Sequence, residues 1–148
     1  MSDASDLYQE LILDHNQRPR NFGRLDSPTH RAEGQNPLCG DTLALTLDVH
    51  DGVIRDLRFE GNGCAISRAS SSLMTTVLKG KSLEEARALA AAFRALVTTE
   101  VDPDPARLGK LLALAGVRQF PMRVKCATLA WHTLLAAIDG ESEPVTSE

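Results

Sequence analysis

Hydrophobic and polar residues alternate along two stretches in the first half of the chain. Over 42–49 the apolar side chains are Leu43, Leu45, Leu47 and Val49, and over 53–60 they include Val53, Leu57 and Phe59. A period of two is that of strands with one buried face, so the two runs predict a hairpin. A two-residue Asp51-Gly52 turn would set Leu45 opposite Arg58 and Leu47 opposite Asp56. A three-residue loop, His50-Asp51-Gly52 with Gly52 left-handed, pairs Val49 with Val53, Leu45 with Leu57 and Leu43 with Phe59. The three-residue loop is therefore expected, with His50 solvated at its tip. Upstream, 30–36 reads as extended chain that leads into Pro37-Leu38-Cys39-Gly40-Asp41.

Elsewhere the spacing changes to that of helices. Over 5–15, Leu7 and Leu11, with Tyr8 and Ile12, share one face behind the acids Asp3 and Asp6, and Arg18-Pro19-Arg20-Asn21-Phe22-Gly23 stops the helix. Arg18, Arg20 and Arg24 read as a solvated turn. After Cys64 the run of small residues from Ser67 to Ser72 predicts a helix that packs closely on a sheet and ends near Gly80. Ser82-Leu83-Glu84-Glu85 is a capping box for a helix through about Val97. A polar loop holding Asp102-Pro103-Asp104-Pro105 follows, then a helix from Pro105 to about Ala115 that Gly116 ends. Pro121 opens the last helix, which carries Cys126, Leu129, Leu134, Leu135 and Ile138 before Gly140. The fold class expected is α+β, a small antiparallel sheet of about three strands against a layer of helices. Residues 1–140 form one domain, and 141–148 read as a disordered acidic tail.

Composition narrows the function more than the fold. With only 4% aromatics the core rests on Leu, Ala, Val and Ile, and Trp131, the sole tryptophan, reads as a core anchor. A net charge of −4 argues against a nucleic-acid binder. No apolar run approaches the roughly 18 residues of a membrane span, and Met1-Ser2-Asp3 is no signal peptide. No long exposed apolar seam is apparent, which favours a monomer. An odd number of cysteines without a secretory signal points to the cytoplasm, where thiols stay reduced and bind metal or do chemistry.

The chemistry gathers on those three cysteines and one aspartate: Cys39-Gly40-Asp41, Cys64 after Gly61-Asn62-Gly63, and Cys126 after Arg123-Val124-Lys125. Cys39 and Asp41 point the same way in an extended chain. The hairpin that starts at Asp41 returns beside them at Cys64, at a helix start where amide donors favour a thiolate. Three soft sulfurs and a carboxylate suit Zn²⁺ or the anchors of an iron–sulfur cluster. No C-x-x-C spacing marks a zinc finger, and the residues alone also allow three small buried hydrophobes. A carboxylate in the set suits a site that exchanges a ligand or its cargo, against a purely structural zinc. A cysteine hydrolase is the remaining class. His132 lies about 240° round a helix from Cys126, on the wrong face, which leaves His15 and His30.

The segments 36–41, 61–74 and 123–131, with Asp14-His15 and Pro19-Arg20-Asn21 upstream, resemble the motifs of the IscU/SufU/NifU N-terminal family, in order over about residues 7–139. The resemblance implies an α+β fold and a role in iron–sulfur cluster assembly. Scaffolds of the IscU type carry a histidine before the third cysteine, where this chain has Lys125. They also carry a two-proline chaperone-docking motif, where this chain has Gln119-Phe120-Pro121-Met122-Arg123. The stretch 98–117 resembles the insertion of the SufU branch. The branch implies Cys39, Asp41, Cys64 and Cys126 on Zn²⁺, with Cys39 as the mobile ligand that leaves the metal to take persulfide sulfur from a SufS-type cysteine desulfurase. A downstream Suf scaffold complex would receive the sulfur. Arg123 and Lys125 are either a solvated basic flank or auxiliary groups that steady the anionic sulfur. The alternative within the family is a scaffold that assembles and passes on a [2Fe–2S] cluster, or iron, on the same four residues.

Overall fold

The computed structural model describes residues 4–98, 105–141 and 143–146. In chain order these form α1 (Ala4–Gln17), β1 (His30–Asn36), β2 (Asp41–His50), β3 (Val53–Glu60), α2 (Ala65–Leu78), α3 (Leu83–Thr98), α4 (Pro105–Leu108), a 3₁₀ segment (Gly109–Gln119), α5 (Pro121–Asp139) and β4 (Val145–Thr146). The sheet order is β3-β2-β1-β4. One face of the sheet is covered by α5 and α2, with α1 lying on α2 and α3 on α5. This is the α+β architecture expected. The 99–104 loop lies outside the described residues, as do the side chains of Leu7 and Tyr8.

The inward parity of the strands builds the core. Leu45, Leu47, Ile54 and Leu57 are fully buried against Leu73, Met74 and Leu129. Each leucine removed from water contributes about 1.5–3 kcal/mol. Trp131 is buried and stacks on Phe93, with ring centroids 5.0 Å apart, so it is the core anchor its apolar neighbours suggested. At Gly34 a Cβ would sit 2.1 Å from Thr133 Oγ1, so the missing side chain lets α5 approach β1.

The β2–β3 register differs from expectation. The loop is the two-residue Asp51-Gly52 turn, with φ of 54° and 74°. His50 pairs with Val53 and Val49 with Ile54; a bulge then leaves Arg55 unpaired, and the ladder resumes at Asp48–Asp56. The extra residue resets the parity, so Leu47 faces Leu57 and Leu45 faces Phe59. The mismatch that argued against the short turn is removed inside β3 rather than at its tip.

Two further corrections fall in the second half. The helix expected from Pro105 to Ala115 is one α-helical turn, a left-handed Gly109 (φ 51°), and a 3₁₀ run that passes Gly116 and ends at Gln119. Leu108, Leu111, Leu114 and Val117, all buried, recur every third residue, the period of a 3₁₀ helix and not of an α-helix. Beyond 140, Val145 and Thr146 pair in parallel with Gly34 and Gln35. The free edge of β1 offers unpaired backbone groups there, so the segment expected as a disordered tail supplies a short fourth strand.

The first turn-forming motif has a structural explanation. His15 is buried in α1, and its Nδ1 stands 2.7 Å from Ser72 Oγ on α2. The same hydroxyl accepts the Arg20 N–H at 2.8 Å, and Asn21 Nδ2 donates to Thr75 Oγ1 at 3.0 Å. Arg20 also pairs with Asp14, and Arg24 with Glu60. Burial, reinforced by the Arg20 charge, pushes the His15 pKa from 6.5 down to about 4. Unfolded chain therefore binds a proton near pH 6.5 that the folded chain refuses until about pH 4. His15 costs no stability above that window, and the folded state loses on the order of 3 kcal/mol as pH falls through it. Urea unfolding at pH 7.5, 5.5 and 4.5 (round values, roughly spanning the titration) should show a shallower decline for His15→Gln than for the parent chain. Parallel declines would assign the acid loss to carboxylates instead.

Candidate metal centre

The site lies at one end of the sheet, where three segments meet. Asn36 closes β1 and pairs with Asp41 at the start of β2, with Pro37-Leu38-Cys39-Gly40 as the loop between. The Cys39 N–H donates to Asn36 O at 3.2 Å, and Gly40 is left-handed at φ 71°. Cys39 and Asp41 therefore converge through a tight turn and not along an extended strand. The hairpin returns at Asn62, whose carbonyl accepts the Thr42 N–H at 2.7 Å. Gly63 then passes so close to Asp41 that a Cβ would stand 2.9 Å from Oδ1. Cys64 caps α2, its thiol accepting the Ser67 N–H at 3.5 Å. The third segment is the second turn of α5. Ser70 Oγ donates to Ala127 O at 2.6 Å, which fixes α5 against α2 beside Cys126.

The ligand atoms of Cys39, Asp41 and Cys126 all lie within 4.8 Å of one another. Cys64 stands outside this mutually close trio, yet its backbone N–H donates to Asp41 Oδ1 at 2.9 Å. Burial, and then hydrogen-bond contacts with Cys39, Asp41 and Cys64, push the Cys126 thiol up from its ordinary range. The accessibility of the thiols is graded: Cys126 is buried, Cys39 half-buried and Cys64 exposed. Ligands about 2.0–2.3 Å from a tetrahedral zinc stand roughly 3.3–3.8 Å apart. From separations of at most 4.8 Å, the trio closes onto such an ion by no more than about 1.5 Å, a shift within reach of rotamers on a glycine-containing turn. The trio's donors thus fit a thiophilic divalent ion, and Cys64 lies beside them, tied to Asp41 through its backbone N–H.

Asn36 is a member of the site that sequence reading gave no role. It is 0% exposed, and Nδ2 stands 3.5 Å from Asp41 Oδ2 and 3.7 Å from Cys126 Sγ. A signal for it existed, because Ala32, Gly34 and Asn36 share the buried parity of β1 and Asn36 alone is polar. Arg123 lies over the Phe120 ring at 4.6 Å, and Lys125 is half-buried just before Cys126. The histidines have other neighbours: His15 holds Ser72, exposed His50 pairs with Asp48, His30 meets Thr29, and His132 lines a groove with Trp131 and Arg94. None joins the cysteine trio, which removes the support for a cysteine–histidine hydrolase.

Residues 7–139 match the family described as NifU-like N terminal domain. The iron–sulfur cluster assembly scaffold protein IscU of Streptococcus pyogenes serotype M1 is 45% identical over 138 residues, 93% of this chain and 86% of that protein. The zinc-dependent sulfurtransferase SufU of Bacillus subtilis strain 168 is 41% identical over 128 residues, 86% of each chain. A crystal structure from Fervidobacterium islandicum AW-1, put forward as an iron–sulfur cluster assembly scaffold protein for the SUF system, superposes with a TM-score of 0.84. It is 32% identical, and the alignment covers 92% of this chain and 99% of that one.

Proposed function

This chain belongs to the NifU-like N-terminal domain family, and on that footing we propose that it serves iron–sulfur cluster assembly in the cytoplasm as a SufU-type sulfur acceptor. It binds Zn²⁺ through Cys39, Asp41, Cys64 and Cys126, and takes persulfide sulfur on Cys39 from a SufS-type cysteine desulfurase. The observation that carries the reading is the approach of Cys39, Asp41 and Cys126 to within 4.8 Å with Cys39 on a left-handed turn. Bound zinc would supply the positive charge that keeps its thiol ligands deprotonated near neutral pH.

The residues divide the work by their mobility. Cys126 is fixed by α5, and Asp41 is tied by the Cys64 N–H. Cys39 sits on a four-residue loop whose tip, Leu38, is 55% exposed, so its half-buried sulfur is the ligand freest to swing toward a partner, although Cys64 is the more exposed thiol. As a thiolate, Cys39 Sγ forms a new S–S bond to the outer sulfur of the partner's persulfide. The partner's S–S bond breaks and its thiolate leaves with the electron pair. Lys125 and Arg123 add positive charge on the flank of that anionic exchange.

The similarity to a relative named as a scaffold supports a second reading, in which the same four residues build and pass on a [2Fe–2S] cluster. Desulfurase turnover with zinc-loaded protein and no iron separates the two. Strong stimulation supports sulfur transfer; no stimulation, with a coloured cluster after reconstitution, supports the scaffold. In either reading Asp41 must keep its place. Gly63→Ala puts a methyl 2.9 Å from Asp41 Oδ1 and 3.2 Å from Ser67 Oγ. Because the obstruction is a side chain that can move, the fold should survive while zinc affinity drops ~10-fold. Chelator competition measures it, and unchanged affinity would remove Asp41 from the ligand set.

A further inference from the structure

We propose that Asn36 is a positioning residue of the metal centre, whose side-chain amide holds the Asp41 carboxylate and the Cys126 thiol in register. The inference rests on the reading of Cys39, Asp41, Cys64 and Cys126 as ligands, and adds a residue that touches two of them without being one.

Asn36 is the last residue of β1, at the base of the loop that carries Cys39, and it is fully buried. Its two amide hydrogens have two acceptors in front of them, Asp41 Oδ2 at 3.5 Å and Cys126 Sγ at 3.7 Å. Its carbonyl, Oδ1, is buried with no hydrogen-bond partner. Turning the amide over would not repair this. An acceptor would then face a carboxylate and a sulfur, and the two donors would face the side that offers no partner. The orientation is therefore set by chemistry.

An amide with an orphaned buried carbonyl is a poor choice for stability alone, since an apolar side chain of the same size carries no desolvation cost. What such a replacement cannot supply is the pair of N–H groups aimed at the ligands. Asp41 is then held from two sides, through Oδ1 by the Cys64 N–H and through Oδ2 by Asn36. One carboxylate and one amide thus tie together the end of β1, the start of α2 and the second turn of α5. Without Asn36, the carboxylate is free to turn about its last torsion and Cys126 loses its N–H partner. Outer-shell groups of this kind orient ligands and tune metal exchange.

The test compares the full chain with Asn36→Leu, of similar size and apolar, and with Asn36→Ser, which is polar but lacks the amide. Each is read by zinc release to a chelator, by the visible spectrum of the Co²⁺-substituted protein, and by melting with and without zinc. The expected result for both variants is zinc release faster by about 10-fold or more, with altered cobalt bands. The metal-free Asn36→Leu chain should melt at or above the parent temperature. Release and spectra equal to the parent overturn the proposal. So does an equal loss of melting temperature with and without zinc, or a chain that folds in neither variant, because each assigns Asn36 to the fold. If the parent chain itself binds neither Zn²⁺ nor Co²⁺, the metal-centre reading fails first, and the Asn36 proposal fails with it.

Discussion

If the chain is the sulfur acceptor proposed, Cys39→Ser should abolish its stimulation of a cysteine desulfurase, reducing the stimulated turnover ~100-fold or to the partner's own basal rate. The exchange requires a sulfur nucleophile that is ionised near neutral pH, and a serine hydroxyl is not. The fold should barely notice. Cys39 is half-buried on a loop, and its structural bond is the backbone N–H to Asn36 O, which serine keeps. Melting of the metal-free chain should therefore stay within a few degrees of the metal-free parent, and the loss of activity cannot be charged to unfolding. Cys126→Ser differs in kind: it places a new hydroxyl in a buried site and removes the sulfur that Asn36 faces, so it should lose metal and stability together. Undiminished stimulation by Cys39→Ser would move the acceptor role to another thiol.

Gly61→Ala should give the largest loss of stability of the glycine-to-alanine changes. Gly61 has φ of 150°, and a Cβ there would lie 2.1 Å from Thr42 O, 2.9 Å from Thr42 C and 3.0 Å from Leu43 Cα. All three atoms belong to the backbone of β2, so no side chain can turn aside. The Thr42 N–H is bonded to Asn62 O, which ties the obstructing strand to the obstructed one. The cost should be about 3–5 kcal/mol, from strain and clash together. That is a large share of the roughly 5–15 kcal/mol that holds an ordinary domain, and lowers the melting temperature by on the order of 10 °C. Gly34→Ala provides a contrast, because its obstruction is the Thr133 hydroxyl, a side-chain group. Gly61→Ala should also loosen the return of the chain to Cys64, so zinc affinity falls as well. A variant that melts within a degree or two of the parent would show that the strands part more easily than their bonding indicates.

What could be read beforehand followed from local period and chemistry. Alternating apolar residues announced β2 and β3, the Ser82–Glu85 box announced α3, with its reciprocal bonds of 3.1 Å in place, and Gly140 ended α5 in a left-handed conformation. The register of the hairpin was not legible. The bulge at Arg55 leaves one trace, Ile54 buried out of phase with Leu57 and Phe59, but one off-parity apolar residue does not fix a register without the ladder. The 3₁₀ segment was misread for a subtler reason: Leu108, Leu111, Leu114 and Val117 carry its three-residue period openly, but a period of three is easily absorbed into 3.6 over so short a run. Val145–Thr146 was hidden because two residues carry no period at all.

The candidate site was legible as a set of residues and illegible as a geometry. Scarcity named Cys39, Cys64 and Cys126, the first two also beside a glycine, and Asp41 followed from its neighbour. Their separations did not. Cys39, Asp41 and Cys126 form the tight group while Cys64 stands beside it as a helix cap. Long-range polar partners were the least accessible, since His15 and Ser72 are 57 positions apart and Asn36 and Cys126 are 90 apart. Neither pair has a sequence signature beyond a polar residue on a buried face.

The most direct test is the intact mass of this chain after brief incubation, zinc-loaded and iron-free, with a SufS-type desulfurase and cysteine. A gain of one sulfur atom that maps to Cys39 by digestion, reverses with a thiol reductant and is lost in Cys39→Ser is the result expected. Sulfur found on Cys64 or Cys126 instead, or on no thiol while turnover is stimulated, would contradict transfer through Cys39.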